Sequence, residues 1–109
     1  MAKGTVIEAA RYFEMRLRES GINISKIILF GSQVKGQAVE ESDIDMVIVS
    51  KDFEDKNIFE RARLTKEAEI MTIRKFMIPL DIITITPEEF ESETSLIADL
   101  ARDGKVVCG

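Results

Sequence analysis

The sequence predicts an α/β chain, with a small mixed β-sheet packed with helices, and three observations carry that expectation. Short apolar runs at residues 27–30, 46–49 and 82–85 have strand length and are bounded by turn residues. The polar, turn-like segment around Glu40, Glu41 and Ser42 returns the chain quickly, which favours antiparallel pairing of the first two runs. A segment of helical period separates the second run from the third, and a strand–helix–strand connection of that kind is the usual right-handed crossover between parallel strands. The expected order is α-β-α-β-α-β-α with an optional last strand, in a single domain over residues 1–109.

Each element has a local reason. Thr5 and Glu8 have the spacing of a capping box, Val6, Ala10, Phe13 and Leu17 recur at helical spacing, and Gly21 is a natural stop, so residues 6–20 are expected as an amphipathic helix. Arg11, Arg16 and Arg18 fall on its polar, solvated face. Residues 26–31 read as the first strand and residues 43–50 as the second. Between them, residues 33–39 read as a short helix or turn weakened by Gly36. A charged loop at 51–56 leads to a helix over 57–77, whose apolar residues spread over more than one face. A helix patterned this way is covered on two sides or meets a partner. Its basic residues Arg61, Arg63, Lys66, Arg74 and Lys75 read as surface, and spacing alone selects none of them for a phosphate. Pro79 introduces a third strand over 80–85. Thr86 to Glu89 form another capping box, with proline at the first helical position, and the helix is expected to run to about Asp103. Gly104 ends it, and residues 105–108 suit a short edge strand.

Composition excludes several function classes. The chain has no histidine, which removes imidazole-based zinc sites and Ser-His-Asp hydrolysis together. A net charge of −5 argues against a nucleic-acid binder held by a basic face. The single cysteine, Cys108, forms no internal disulfide and is assigned no role, which suits a reducing cytoplasm. No apolar stretch has membrane-spanning length, and no signal-peptide core opens the chain, so a cytoplasmic location is expected.

The chemistry concentrates where the first strand ends and the second begins. Gly31 and Ser32 let a charged group approach the backbone and leave N–H groups and a hydroxyl free, a suitable cradle for phosphate oxygens. Asp43 and Asp45 are two apart at a strand start and share a face. Antiparallel pairing would bring the Gly31–Ser32 corner beside them. Asp81 is a lone carboxylate opening an apolar strand, costly to bury unless paired or metal-bound, although a surface strand end would also explain it. Lys35 reads equally well as a phosphate contact or as an exposed lysine. Three carboxylates beside a phosphate cradle suit magnesium, with two ions holding the attacking and leaving oxygens of a displacement at phosphorus. On that reading Asp43 and Asp45 bridge the ions and Asp81 completes the site.

Gly31-Ser32, then ten intervening residues, then Asp43-Ile44-Asp45, resembles the signature of the polymerase β-type nucleotidyltransferase superfamily. The chain is especially similar to the minimal nucleotidyltransferases, encoded beside HEPN-domain partners, and the likeness extends through Leu80-Asp81 and the segment 86–90 to Arg102-Asp103-Gly104. The resemblance implies a nucleotidyltransferase fold, ATP with Mg²⁺ as donor, metal binding by Asp43, Asp45 and Asp81, and phosphate binding by Gly31 and Ser32. Many relatives carry arginines after Gly-Ser, where this chain has Gln33, Val34 and Lys35; lysine keeps the charge but loses the bidentate fork. The resemblance also implies an antitoxin that adenylylates a HEPN toxin on tyrosine, an acceptor delivered by a partner protein or a homo-oligomer. The alternative is a non-catalytic antitoxin that neutralises by complex formation, docking through the two-sided helix at 57–77. Transfer to a small molecule is the less favoured option, because the chain ends where larger relatives begin an acceptor-recognition domain.

Overall fold

A computed structural model describes residues 4–30, 43–92 and 104–108. The elements are α1 (Gly4–Glu19), β1 (Lys26–Phe30), β2 (Ile44–Val49), a single 3₁₀ turn (Lys51–Phe53), α2 (Ile58–Phe76), β3 (Leu80–Ile85), α3 (Pro87–Glu91) and β4 (Lys105–Cys108). They build a four-stranded mixed sheet in the order β3-β2-β1-β4. β1 runs antiparallel to both β2 and β4, and β2 runs parallel to β3. The α/β expectation, the antiparallel first pair and the parallel crossover all stand, and the terminal strand is indeed at an edge.

The sheet separates two apolar layers because its strands alternate. Ile27 and Leu29 of β1, with Ile44, Met46 and Ile48 of β2, face α1 and α2 and pack with Val6, Phe13, Leu17 and Ala68. Ile28, Val47, Val49 and Ile85 point to the opposite face, where Phe30, Ile83 and Phe90 cover them. Phe13, Leu17, Ile44 and Met46 are fully buried, and each contributes roughly 1.5–3 kcal/mol by leaving water.

α1 closes where a left-handed residue was anticipated. Gly21 has φ +88°, its N–H donates to the Arg18 carbonyl, and the Ile22 N–H donates to the Leu17 carbonyl. These two bonds form a Schellman stop, with Ile22 and Leu17 buried together behind it. At the other end the expectation needs correction: the helix begins at Gly4, so Thr5 lies inside the first turn and does not cap it. α2 starts one residue later than expected, because Asn57 is the cap, in a reciprocal box with Glu60; it ends at Met77, in the left-handed region at φ 56°. The Thr86–Glu89 box is present, with Pro87 at the helix start. α3 is nevertheless only five residues long: Ser92 turns extended at ψ 126°, so a continuous helix from Pro87 to Asp103 is not formed. The segment 93–103, the short helix or turn expected at 33–39, and Gly31, Ser32 and Lys35 lie outside the described residues.

Gly21→Ala is expected to destabilise the protein by about 1 kcal/mol, because a Cβ is strained at this φ even though open space surrounds it. Urea unfolding of the two proteins side by side measures that difference.

Candidate functional site

The site is built by alternation and register. Ile44 is buried among the helices, so its neighbours Asp43 and Asp45 are directed away from that layer. Parallel pairing then sets Ile44 beside Leu80 and Asp45 beside Asp81. On the other side, antiparallel pairing sets Asp45 beside Phe30, the residue that immediately precedes Gly31 in the chain. Asp45 therefore stands between the end of β1 and the start of β3. The Ile44 N–H donates to the Pro79 carbonyl at 2.9 Å, which pins the start of β2 against the approach to β3.

Electrostatics follow from that placement. Asp45 is half-buried, while Asp43 and Asp81 are exposed. Burial pushes the Asp45 carboxyl above its ordinary range; the charges of Asp81 and then Asp43 push the same way, as does a hydrogen bond with the Asp81 carboxyl. Two carboxyls can share such a bond only when one keeps its proton. Glu69 of α2 is also raised, first by burial and then by the charge of Asp81. Glu69 and Asp81 line a groove of about 330 Å³ between α2 and β3, together with Ile58, Thr65 and Thr84.

The structure thus brings Asp45 and Asp81 to paired positions on adjacent strands, with Asp43 near enough to add its charge. Glu69 is a fourth acid that the sequence reading missed. The available signal was a carboxylate beside Ala68 on a helix whose inward stripe is Thr65, Ala68 and Thr72. Arg61, grouped with surface residues, is instead half-buried and structural: it donates to the carbonyls of Lys56 and Thr84 and pairs with Glu89 at 3.0 Å, fastening α2 to β3 and α3. Arg18 pairs with Glu14 at 2.8 Å and also contacts the Cys108 sulfur.

Oxygen-only donors suit a hard divalent cation, and its positive charge would relieve the burial and repulsion that push the Asp45 carboxyl up. Asp45 and Asp81, at paired positions of adjacent strands, with Asp43 close enough for its charge to act on Asp45, are the carboxylates that could contribute to such a site. Among the described residues, no three acidic, histidine or cysteine side chains form a metal site by themselves. Magnesium is commonly held by one or two carboxylates, with phosphate and water oxygens completing its shell.

The family described as Polymerase beta, Nucleotidyltransferase matches residues 15–109, and the chain belongs to that family of nucleotidyltransferases. Among curated proteins, the chain is 28% identical over 89 residues to MJ1305 of Methanocaldococcus jannaschii, whose name makes it a candidate protein adenylyltransferase. That match covers 80% of this chain and 60% of the relative, so this chain spans about 60% of the length of the curated protein it matches. Among solved structures, a toxin–antitoxin crystallised with AMP-PNP superposes with a TM-score of 0.60 at 20% identity, over 89% of this chain and 71% of that one. A crystal structure described as that of a candidate nucleotidyltransferase from Sulfolobus solfataricus superposes at 0.54 with 23% identity, over 97% and 89% of the two chains. These likenesses place the mixed sheet among nucleotidyltransferase folds.

The raised Asp45 carboxyl has a consequence for stability. Its native pKa lies above its unfolded value, so the native proton stabilises the fold below the unfolded pKa, and that contribution is lost as pH rises through the native one. Asp45→Asn is therefore expected to stabilise the cation-free protein at neutral pH by ~0.5 kcal/mol after solvent screening, and to give no gain below about pH 4. Urea midpoints at the two pH values, with chelator present, check both the sign and the disappearance.

Proposed function

We propose that this chain transfers AMP from ATP to a tyrosine hydroxyl of a partner protein of HEPN type, and that this modification makes it an antitoxin acting in the cytoplasm. The observation that carries the reading is the in-register pairing of Asp45 with Asp81 beside Phe30, in a chain of the nucleotidyltransferase family. The likeness to MJ1305 supports a protein as acceptor, and the toxin–antitoxin neighbour supports a partner and a nucleotide. No helix among the described residues is long and apolar enough to cross a membrane.

In the proposed reaction the acceptor oxygen bonds to the α-phosphorus, the bond to pyrophosphate breaks, and the hydroxyl proton is released. Asp43, Asp45 and Asp81 provide the oxygens that would hold magnesium, in one or two ions. When bound, magnesium supplies positive charge against the phosphoryl oxygens. Gly31, Ser32 and Lys35 are assigned to the donor's phosphates, a role supported by the place of Gly31 and Ser32 in the chain directly after Phe30, the β1 partner of Asp45, with Lys35 three residues further on. The carboxylates also repel one another and the triphosphate, so the nucleotide and its cation are expected to bind together.

A second reading, neutralisation by binding alone, is favoured by two side chains at the start of α2. Ile58 and Phe59 are 72% and 77% exposed, which suits contact with another protein better than solvent.

Incubation with the product of the neighbouring gene, labelled ATP and Mg²⁺ should label that protein, and an unlabelled partner counts against the transfer reading. Asp43→Asn with Asp45→Asn should reduce labelling by at least ~10³-fold. If that double variant still neutralises fully, binding alone is the mechanism. Mg²⁺ with AMP-PNP should raise the melting temperature of the wild type and leave the double variant's unchanged.

A further inference from the structure

β3 is the outer strand of the sheet, and among the described residues no strand pairs with its free side. Beside it runs the groove of about 330 Å³, at the small end of ligand-site volumes and sized for one or two side chains of a partner. Asp81 lies near one end of β3, paired in register with Asp45 of the site described above. The strand then continues for three residues, about 10 Å at strand rise, to Thr84, which lines the same groove. Ile58, largely exposed, and Thr65 contribute from α2, and Leu80 is the buried residue on the β3 side.

The groove's charge is one-sided. Glu69 and Asp81 both line it; burial first, and then the charge of Asp81, push the Glu69 carboxyl above its ordinary range. No lysine or arginine is among the described residues that line it. Arg61, which reaches Thr84, is committed to three partners: the Lys56 and Thr84 carbonyls and the Glu89 carboxylate. With Asp81 assigned to magnesium, Glu69 is the acid of the groove that faces no lysine or arginine among its described lining residues, and it favours an occupant that brings a positive charge.

We infer that the α2–β3 groove receives the acceptor segment of the partner protein, and that Glu69 selects a lysine or arginine beside the modified hydroxyl residue. The inference rests on the proposed transfer to a protein and adds the chemistry by which the acceptor is recognised. The segment lies along β3 with its hydroxyl at the Asp81 end, and an apolar side chain some three residues away meets Ile58. Glu69 acts here through charge on the bound segment and is a specificity residue, separate from the aspartates that serve the nucleotide.

Two fluorescein-labelled synthetic peptides, identical except that the single tyrosine is flanked by lysines in one and by glutamates in the other, test this on the full chain with Mg²⁺ and AMP-PNP. Fluorescence anisotropy should show the lysine peptide binding at least about fivefold more tightly, and Glu69→Gln should remove most of that preference. Ile58→Lys, at a largely exposed position where folding is not at risk, should reduce the preference in the same direction. Equal affinities in the wild type, or a preference that neither variant alters, would overturn the inference. Parallel samples with labelled ATP separate the two ideas: preferential binding with no label on the peptide or on the neighbouring gene's product upholds the groove and sinks the transfer reading. Label on both peptides without preference does the reverse.

Discussion

The parallel pairing of β2 with β3 is the constraint on which the rest of the molecule depends. α2 crosses over the sheet and returns the chain in the same direction, so equivalent positions of the two strands lie side by side. Ile44 and Leu80 form one such pair and are drawn into the helical layer. Once they are buried, period-two alternation leaves Asp45 and Asp81 adjacent on the other side. Slipping the register by one residue would bury the carboxylates and expose the isoleucine, so the same apolar packing that stabilises the sheet also enforces the site.

That arrangement costs stability at the place where chemistry is proposed. Asp45 is partly buried between an aromatic neighbour and another carboxylate, and its raised pKa records the conflict. A core in which Phe13, Leu17, Met46 and Phe53 are fully buried can support such a conflict, because the strain is confined to strand ends beyond the core. Capped helices hold the surroundings in place: the Asn57 box begins α2, the Gly21 stop ends α1, and Arg61 fastens α2 to the end of β3. The opposed charges thus sit on a framework whose own interactions are satisfied.

Much of this was legible in the sequence, because the signals were local or periodic. Strand-length apolar runs, the helical repeat from Val6 to Leu17 and glycine at a left-handed position each have one dominant physical reading, whereas the lone Asp81 had two, and it lies exposed at a strand end. The length of α3 was misread because Phe90, Ile97 and Leu100 continue a helical spacing past Ser92, where the backbone turns extended. Glu69 and Arg61 were illegible for another reason. Their partners, Asp81 for one and Thr84 and Glu89 for the other, lie on elements that only the crossover brings close. Spacing along α2 describes its faces and says nothing of what each face meets.

We propose that Asp43, Asp45 and Asp81 together hold the nucleotide's magnesium, in one or two ions. Manganese, a paramagnetic stand-in for magnesium, tests it directly through the backbone amide signals of the isotopically labelled protein titrated in the presence of AMP-PNP. Signals at Asp43, Asp45 and Asp81 should broaden first and together, ahead of those at Glu14 or Glu89. Broadening that starts at those surface acids, or that affects Asp43 and Asp45 while leaving Asp81 sharp, would contradict it.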